Sequence, residues 1–157
     1  MVSEYLEHRL IKKDAIEYRD YQVNLANQAI KENCLIVLPT GLGKTTVALQ
    51  VIAEFLSKRT GSVLFLAPTR VLVHQHHVFL KNNLLIDDIA FITGEDPVAK
   101  RKKMWSNSVI CATPEITKNE IAFYTNLAFK ELETLDIDAD KKELLKNFGL
   151  ALMKRTI

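Results

Sequence analysis

The feature that most constrains this chain is a short glycine-containing loop between an apolar run and an amphipathic segment. The apolar run is CLIVL at residues 34–38, the loop continues as Pro-Thr-Gly-Leu-Gly-Lys-Thr, and apolar residues then recur at helical spacing to about Lys58. This order predicts a buried strand at 34–38, a tight turn, and a helix at 43–58. A strand that is apolar on both faces is typical of a parallel sheet covered by helices.

The alternation of strand-like and helix-like segments continues to about residue 120. It predicts further strands at 62–68, 88–93 and 108–114, and further helices at 20–33, 71–82 and 97–106. Buried strands that alternate with amphipathic helices predict an α/β fold with a parallel, doubly wound sheet. In folds of this class, ligands bind outside the carboxyl ends of the strands.

The composition of the chain changes near residue 120. All four prolines and four of the five glycines precede that point, and residues 121–157 carry two apolar patterns at helical spacing. We therefore predict an incomplete α/β lobe at 1–120, followed by a helical C-terminal tail at 121–157. The abrupt change suggests that the tail is part of a helical insertion or is spliced on across missing residues.

Composition and charge argue against several classes of protein. No apolar run reaches the length of about 18 residues that a membrane span needs, and the first residues are too charged for a signal peptide. Cys34 and Cys111 both lie in apolar runs, so we expect reduced, buried thiols in an intracellular, cytoplasmic protein. The net charge of +2 is small, so any nucleic acid would have to be held by local features of the surface.

The loop itself carries the groups that a nucleoside triphosphate needs. Its glycines let successive backbone N–H groups turn toward phosphate oxygens at the positive end of the new helix. Lys44 can bridge the β- and γ-phosphates, and the Thr45 hydroxyl can ligate Mg²⁺. The general pattern has a glycine five residues before Gly43, where this chain has Leu38. The strand-loop-helix context nevertheless favours a phosphate-binding loop.

Further short elements follow the loop in a fixed order, each at the end of a predicted strand. They are Ala-Pro-Thr-Arg (67–70), Thr-Gly-Glu (93–95) and Ala-Thr-Pro-Glu (112–115). Together with Pro-Thr-Gly before Leu-Gly-Lys-Thr, this series resembles the motor motifs of superfamily 2 helicases, and among them the Hef-type and Fanconi anaemia M-type DNA translocases. The resemblance covers about residues 15–120 and implies a RecA-like P-loop lobe.

The resemblance assigns ATP and Mg²⁺ to residues around the loop. Lys44 and Thr45 would be the catalytic pair, with Thr45 ligating Mg²⁺. Gln22 would read the adenine edge, because its amide offers both a donor and an acceptor. The complete set of implied cofactor contacts is Arg19, Tyr21, Gln22, Pro39, Thr40, Gly41, Leu42, Gly43, Lys44, Thr45 and Thr46.

DNA is the partner that the resemblance implies. The contacts carried over from the family are Arg70, Gln75, Thr93, Gly94 and Thr113. Hydroxyls, backbone N–H groups and one guanidinium bind the nucleic-acid backbone, so they position a strand without reading its sequence. A preference for forked or branched DNA is implied by the resemblance alone.

Hydrolysis of ATP in this family also requires an apolar strand that ends in Asp-Glu, and a second motor lobe. The Asp holds Mg²⁺ and the Glu orients and deprotonates the attacking water. Neither the Asp-Glu strand nor a second lobe follows residue 115 in this sequence. We therefore expect the chain as given to bind ATP without hydrolysing it.

Two other functions remain open at this stage. The chain could be a nucleotide-binding module without catalysis, whose helical tail docks a partner. A small P-loop kinase is disfavoured, because no Arg-rich lid follows and the helicase-like elements would be unexplained. The basic run at 100–103 lies on a predicted helix away from the strand ends, and we interpret it as a solvated face.

Overall fold

A three-stranded parallel sheet lies within the first part of the chain. The computed structural model describes residues 4–58 and 61–153, and the strands in that part are β1 (Val63–Leu66), β2 (Ile89–Phe91) and β3 (Val109–Ala112). Their order across the sheet is β1-β3-β2, and both pairings are parallel. All four residues of the central strand β3 are buried, as expected for a strand that is apolar on both faces.

Two described helices precede these strands along the chain, and further helices connect them and follow them. In the described ranges they are α1 (Asp20–Lys31), α2 (Lys44–Lys58), α3 (Arg70–Asn83), α4 (Val98–Met104), α5 (Pro114–Thr134) and α6 (Ala139–Met153). The hydroxyl of Thr69 accepts a hydrogen bond from the Leu72 N–H at 3.3 Å and so caps α3. The α/β fold with a parallel sheet that the sequence predicts is confirmed.

The core of the lobe forms where α2 and α3 pack with the sheet. Leu49 of α2, Val73 and Leu80 of α3, and Val109 of β3 are all fully buried. The N-terminal segment adds Ile11, which forms an antiparallel bridge with Leu84. These contacts fix the two helices that follow the phosphate loop and β1.

The strand predicted at residues 34–38 is not formed in the structure, so that prediction is wrong. No described strand pairs with this run, and the side chains of Leu35 and Val37 are 89% and 81% exposed. The expectation of a buried Cys34 is also wrong, because this thiol is exposed. An extended run becomes a strand only when a neighbour satisfies its backbone N–H and C=O groups, and no strand in the described ranges does so for this run.

The other cysteine behaves as the sequence predicts. Cys111 lies on the central strand and is fully buried. Removal from water disfavours the thiolate and raises the pKa of Cys111 to about 12. Cys111 is therefore an inert thiol of the core at neutral pH.

A second compact unit begins at Glu115 and contains most of α5 and all of α6. Within it, Lys142 donates to the backbone carbonyl of Glu133 at 2.9 Å, and Lys146 pairs with the Glu133 carboxylate. Several apolar side chains of α6 are exposed, Leu144 and Phe148 most of all. No helix in the described ranges is both long enough and apolar enough to cross a membrane.

Candidate nucleotide and nucleic-acid sites

The phosphate loop adopts a conformation that depends on its two glycines. The φ angles are +84° at Gly41 and +78° at Gly43, in the left-handed region that favours glycine. The Leu42 N–H donates to the Pro39 carbonyl at 3.4 Å, which closes the turn, and α2 begins at the next residue after Gly43. The amino-terminal end of a 15-residue helix therefore adjoins the loop, where it favours an anion.

Lys44 folds back over the loop. Its ammonium donates to the carbonyl of Leu38 at 2.6 Å and to that of Pro39 at 3.1 Å. Both acceptors are neutral, and phosphate oxygens would form stronger, charge-assisted hydrogen bonds with the same donor. The loop thus holds a cation beside the Leu38 and Pro39 carbonyls, and such a cation suits a phosphate chain.

Thr45 lies next to helix α3. Its hydroxyl is 3.5 Å from Nδ1 of His76, and the His76 ring packs at 5.0 Å from the ring of Phe65. Burial lowers the pKa of His76, which keeps the ring neutral at neutral pH. No spacing rule predicts this contact, because His76 lies 31 positions from Thr45.

The upstream residues Tyr21 and Gln22 are hydrogen-bonded to the phosphate loop. The Tyr21 hydroxyl donates to the carbonyl of Leu42 at 3.0 Å, and Gln22 Nε2 donates to the same carbonyl at 3.2 Å. Gln22 Nε2 also donates to the Tyr21 hydroxyl at 3.1 Å, and a hydrogen bond from Arg19 lowers the pKa of that phenol. The residues implied for the base and those implied for the phosphates therefore form one connected site.

A cavity of about 300 Å³ adjoins this connected site. Among the residues that border it are Glu17, Arg19, Gln22, Gly41, Gly43 and Thr46. Arg19 pairs with Glu17 at 2.9 Å. Gln22 is almost completely buried, and its amide nitrogen is used by Tyr21 and Leu42. The structure thus brings Arg19, Gln22 and loop residues around one space.

The close approach of Gln22 to Gly43 leads to a testable difference between the two loop glycines. A Cβ at Gly43 would lie 2.3 Å from Gln22 Nε2, too close unless that side chain shifts, whereas a Cβ at Gly41 would meet nothing within 4 Å. Both positions have positive φ, so alanine costs about 1–2 kcal/mol of conformational strain at either. We expect Gly43→Ala to lower the free energy of unfolding clearly more than Gly41→Ala, as measured by denaturant titration without nucleotide.

Gln22→Ala provides the control for this comparison. In a Gln22→Ala background the colliding amide is absent, so Gly43→Ala and Gly41→Ala should then lower the free energy of unfolding by similar amounts. Equal losses from the two glycine variants would show that the contact between Gly43 and Gln22 does not restrict the loop.

The residues implied for nucleic acid lie at the carboxyl ends of the three strands. Arg70 is the first residue of α3 after β1, Thr93 follows β2, and Thr113 follows β3. Since the strands are parallel and β3 lies between the others, these three residues share one edge of the sheet. Gln75 is exposed farther along α3, and Gly94 is exposed after Thr93.

Two acidic residues to which the sequence analysis assigned no role, Glu95 and Asp96, bind this edge. Both guanidinium nitrogens of Arg70 contact the carboxylate of Glu95, with Nη2 at 2.8 Å from Oε2. The N–H and the hydroxyl of Thr93 donate to Oδ2 of Asp96 at 3.0 and 2.9 Å. A local signal existed for Asp96, because a polar side chain before a proline is typical of a turn.

The basic run at 100–103 is not wholly a solvated face, so that interpretation needs correction. Lys100 pairs with Asp96 at 2.7 Å, and Arg101 donates to the backbone carbonyl of Asp96. The turn after β2 brings the start of α4 back to the strand end, which the sequence pattern did not indicate. Lys102 and Lys103 are exposed.

Comparison with known proteins identifies the class to which this fold and site belong. The family model described as DEAD/DEAH box helicase matches residues 19–146, which is most of the chain. The chain belongs to this family. Its members bind ATP, typically with Mg²⁺, and the match reaches past residue 120 into α6.

Particular relatives narrow the class to helicases of the Hef and Fanconi anaemia M type. The solved Hef helicase domain of Pyrococcus furiosus superimposes with a TM-score of 0.69 and is 39% identical, over 72% of this chain and 24% of that one. The Drosophila melanogaster DNA helicase Fancm is 34% identical over 119 residues, 73% of this chain and 8% of its own length. A Methanocaldococcus jannaschii protein named "Putative ATP-dependent RNA helicase" is 44% identical over 120 residues, 74% of this chain and 15% of its own.

These matches confirm the resemblance that the motifs predict, including the RecA-like fold of the lobe. The chain spans less than a quarter of each of these relatives.

Proposed function

We propose that this chain is the ATP-binding first motor lobe of an ATP-dependent DNA helicase or translocase of the Hef type. The observation that carries the proposal is the pair of hydrogen bonds from Tyr21 and Gln22 to the Leu42 carbonyl. They join the residues implied for the base to the loop implied for the phosphates. In the same lobe, the residues at the carboxyl ends of the three strands suit a nucleic-acid backbone. Membership of the helicase family supports an ATP-driven activity for the protein that contains such a lobe.

In this proposal ATP lies along the loop with its base in the cavity beside Gln22. The helix end and the backbone N–H groups around Gly43 bind the phosphates, and Lys44 exchanges its two carbonyl acceptors for phosphate oxygens. Mg²⁺, held by Thr45, would neutralise phosphate charge. The residues present fit a Mg²⁺-bound triphosphate, because they combine two glycines with positive φ, a helix amino terminus and a cation.

DNA is proposed as the second ligand, bound along the edge formed by the three strand ends. Support comes from Arg70 and Thr93, whose guanidinium, hydroxyl and N–H are suited to phosphate oxygens. The relatives differ in their names, since the Drosophila protein is called a DNA helicase and the Methanocaldococcus protein an RNA helicase. We favour DNA, with a forked or branched substrate, because of the likeness to Hef and Fancm. An intracellular location follows from such a substrate.

Binding of single-stranded DNA by the chain is expected to be weak, independent of sequence and steeply dependent on salt. One lobe provides few phosphate contacts, and counterion release supplies most of the free energy. Arg70→Ala should weaken binding about tenfold, the scale of one charge-assisted hydrogen bond, and should reduce the salt slope by about one. Fluorescence anisotropy with labelled oligonucleotides at several salt concentrations measures both quantities.

Lys81→Ala is the matched control, because it removes one positive charge from the opposite end of the same helix. It should leave the affinity nearly unchanged. Equal weakening by the two variants would contradict a specific role of Arg70, and a parallel titration with RNA of the same sequence distinguishes the two nucleic acids.

One alternative has an observation in its favour. Leu144 and Phe148 expose large apolar side chains on α6, as a helical tail that docks a partner protein would. In that case the chain would bind ATP but show no DNA affinity that depends on Arg70. The small P-loop kinase has no support in the family match.

A further inference from the structure

The hydrogen-bond donors that we assign to nucleic acid are occupied by two consecutive carboxylates of the protein itself. Glu95 binds the guanidinium of Arg70 through two parallel contacts, and Asp96 accepts from both the N–H and the hydroxyl of Thr93. The fork of a guanidinium binds carboxylates and phosphates with the same two-point geometry. A nucleic-acid phosphate and Glu95 would therefore compete for one donor.

The two carboxylates differ in how readily they could be displaced. Asp96 is largely buried, with its side chain 14% exposed, and it also pairs with Lys100 and accepts from buried Thr93. Glu95 is 73% exposed, and its partner Arg70 is 56% exposed. Exposed ion pairs contribute little to stability, whereas a buried carboxylate with several donors is part of the fold. Of these two carboxylates, Glu95 is therefore the one that a ligand can displace.

Glu95 is a carboxylate under ordinary conditions. The hydrogen bonds from Arg70 lower the pKa of Glu95, so it stays ionised well below neutral pH.

We propose that Glu95 is an intramolecular competitor that holds Arg70 until a nucleic-acid phosphate displaces it. This inference rests on the proposed function, because it takes Arg70 as a contact to the backbone of a strand. A single small anion that displaces Glu95 gains only the contact with Arg70 that the carboxylate already makes. A strand that also reaches the ends of β2 and β3 gains additional contacts, so Glu95 favours extended polyanions over isolated phosphate.

The test compares four variants of the 157-residue chain in single-stranded DNA binding: Glu95→Gln, Asp87→Asn, Arg70→Ala, and Arg70→Ala with Glu95→Gln. Asp87→Asn is the matched control. It removes the same charge from an exposed residue ahead of β2, at the opposite end of that strand. Glutamine keeps the size of Glu95 and one acceptor, and thermal unfolding should show each variant folded.

We expect Glu95→Gln to tighten DNA binding about two- to fivefold relative to Asp87→Asn, the range set by the strength of an exposed ion pair. In the Arg70→Ala background, Glu95→Gln should raise the affinity for DNA no more than Asp87→Asn raises it. Inorganic phosphate should compete more effectively against DNA on Glu95→Gln than on the unmodified chain.

Three results would overturn the inference. If Glu95→Gln and Asp87→Asn bind DNA with equal affinity while Arg70→Ala binds it more weakly, Glu95 is not a competitor. The proposed DNA site would then still stand. Weaker binding by Glu95→Gln would mean that Glu95 orients Arg70 for its ligand. No effect of Arg70→Ala on DNA binding would contradict both the inference and the proposed site.

Discussion

The 157-residue chain is expected to hydrolyse ATP no faster than its Lys44→Ala variant. Binding the phosphates lowers the barrier only if the attacking water is also positioned and its proton accepted. The sequence contains no apolar strand that ends in Asp-Glu. Of the two carboxylates that follow β2, Asp96 is held in the fold by Thr93 and Lys100. The absence of one positioned acid or base typically lowers a rate by about 10²–10⁴.

A phosphate-release assay with and without single-stranded or forked DNA measures this expectation. Lys44→Ala supplies the background rate, because it lacks the cation that contacts the phosphates in our proposal. Turnover that DNA stimulates above this background would contradict the prediction. It would mean that another carboxylate of the chain reaches the site and activates water.

Lys44→Ala should also weaken ATP binding, by about 1.5–3 kcal/mol, which corresponds to roughly 10- to 150-fold in Kd. Within the described residues its ammonium is bound to the neutral carbonyls of Leu38 and Pro39, and a triphosphate offers charged acceptors in their place. Calorimetric titration of Mg-ATP into both proteins measures the difference. Lys58→Ala is the control, because it removes the same charge from the other end of α2 and should leave the affinity unchanged.

Gln22→Ala separates the base from the phosphates in the same titration. If the amide of Gln22 recognises adenine, this variant should narrow the preference for ATP over GTP, while Lys44→Ala weakens both nucleotides alike. A preference that survives in Gln22→Ala would contradict the role of Gln22. Equal ATP affinity in Lys44→Ala and the unmodified chain would contradict the role of the loop.

The parts of the fold that the sequence predicts well are those decided by local patterns. The apolar runs around Val63 and Val109 become strands because each finds a partner, and α2 and α3 follow from apolar residues at helical spacing. The run at 34–38 has the same local pattern but no described strand beside it. A strand depends on its neighbour as much as on its own residues, and a single sequence does not show which neighbours are present.

The site divides in the same way. The loop and its glycines could be predicted, because consecutive residues from Gly41 to Thr45 carry the signal. The bonds from Gln22 to Leu42 and from Arg70 to Glu95 span 20 and 25 positions, and no spacing rule links their partners. The sequence therefore predicts which groups would bind a ligand, but it does not predict which groups contact each other.

The unpaired run at 34–38 also governs how the chain would behave in concentrated solution. Leu35 and Val37 face solvent, and no described strand pairs with the backbone of this run. Such a segment is a template on which a second molecule can pair by intermolecular hydrogen bonds. The charge of Glu32 and the missing N–H of Pro39 limit that pairing on either side. Aggregation of the chain in concentrated solution is therefore expected to begin by pairing at residues 34–38.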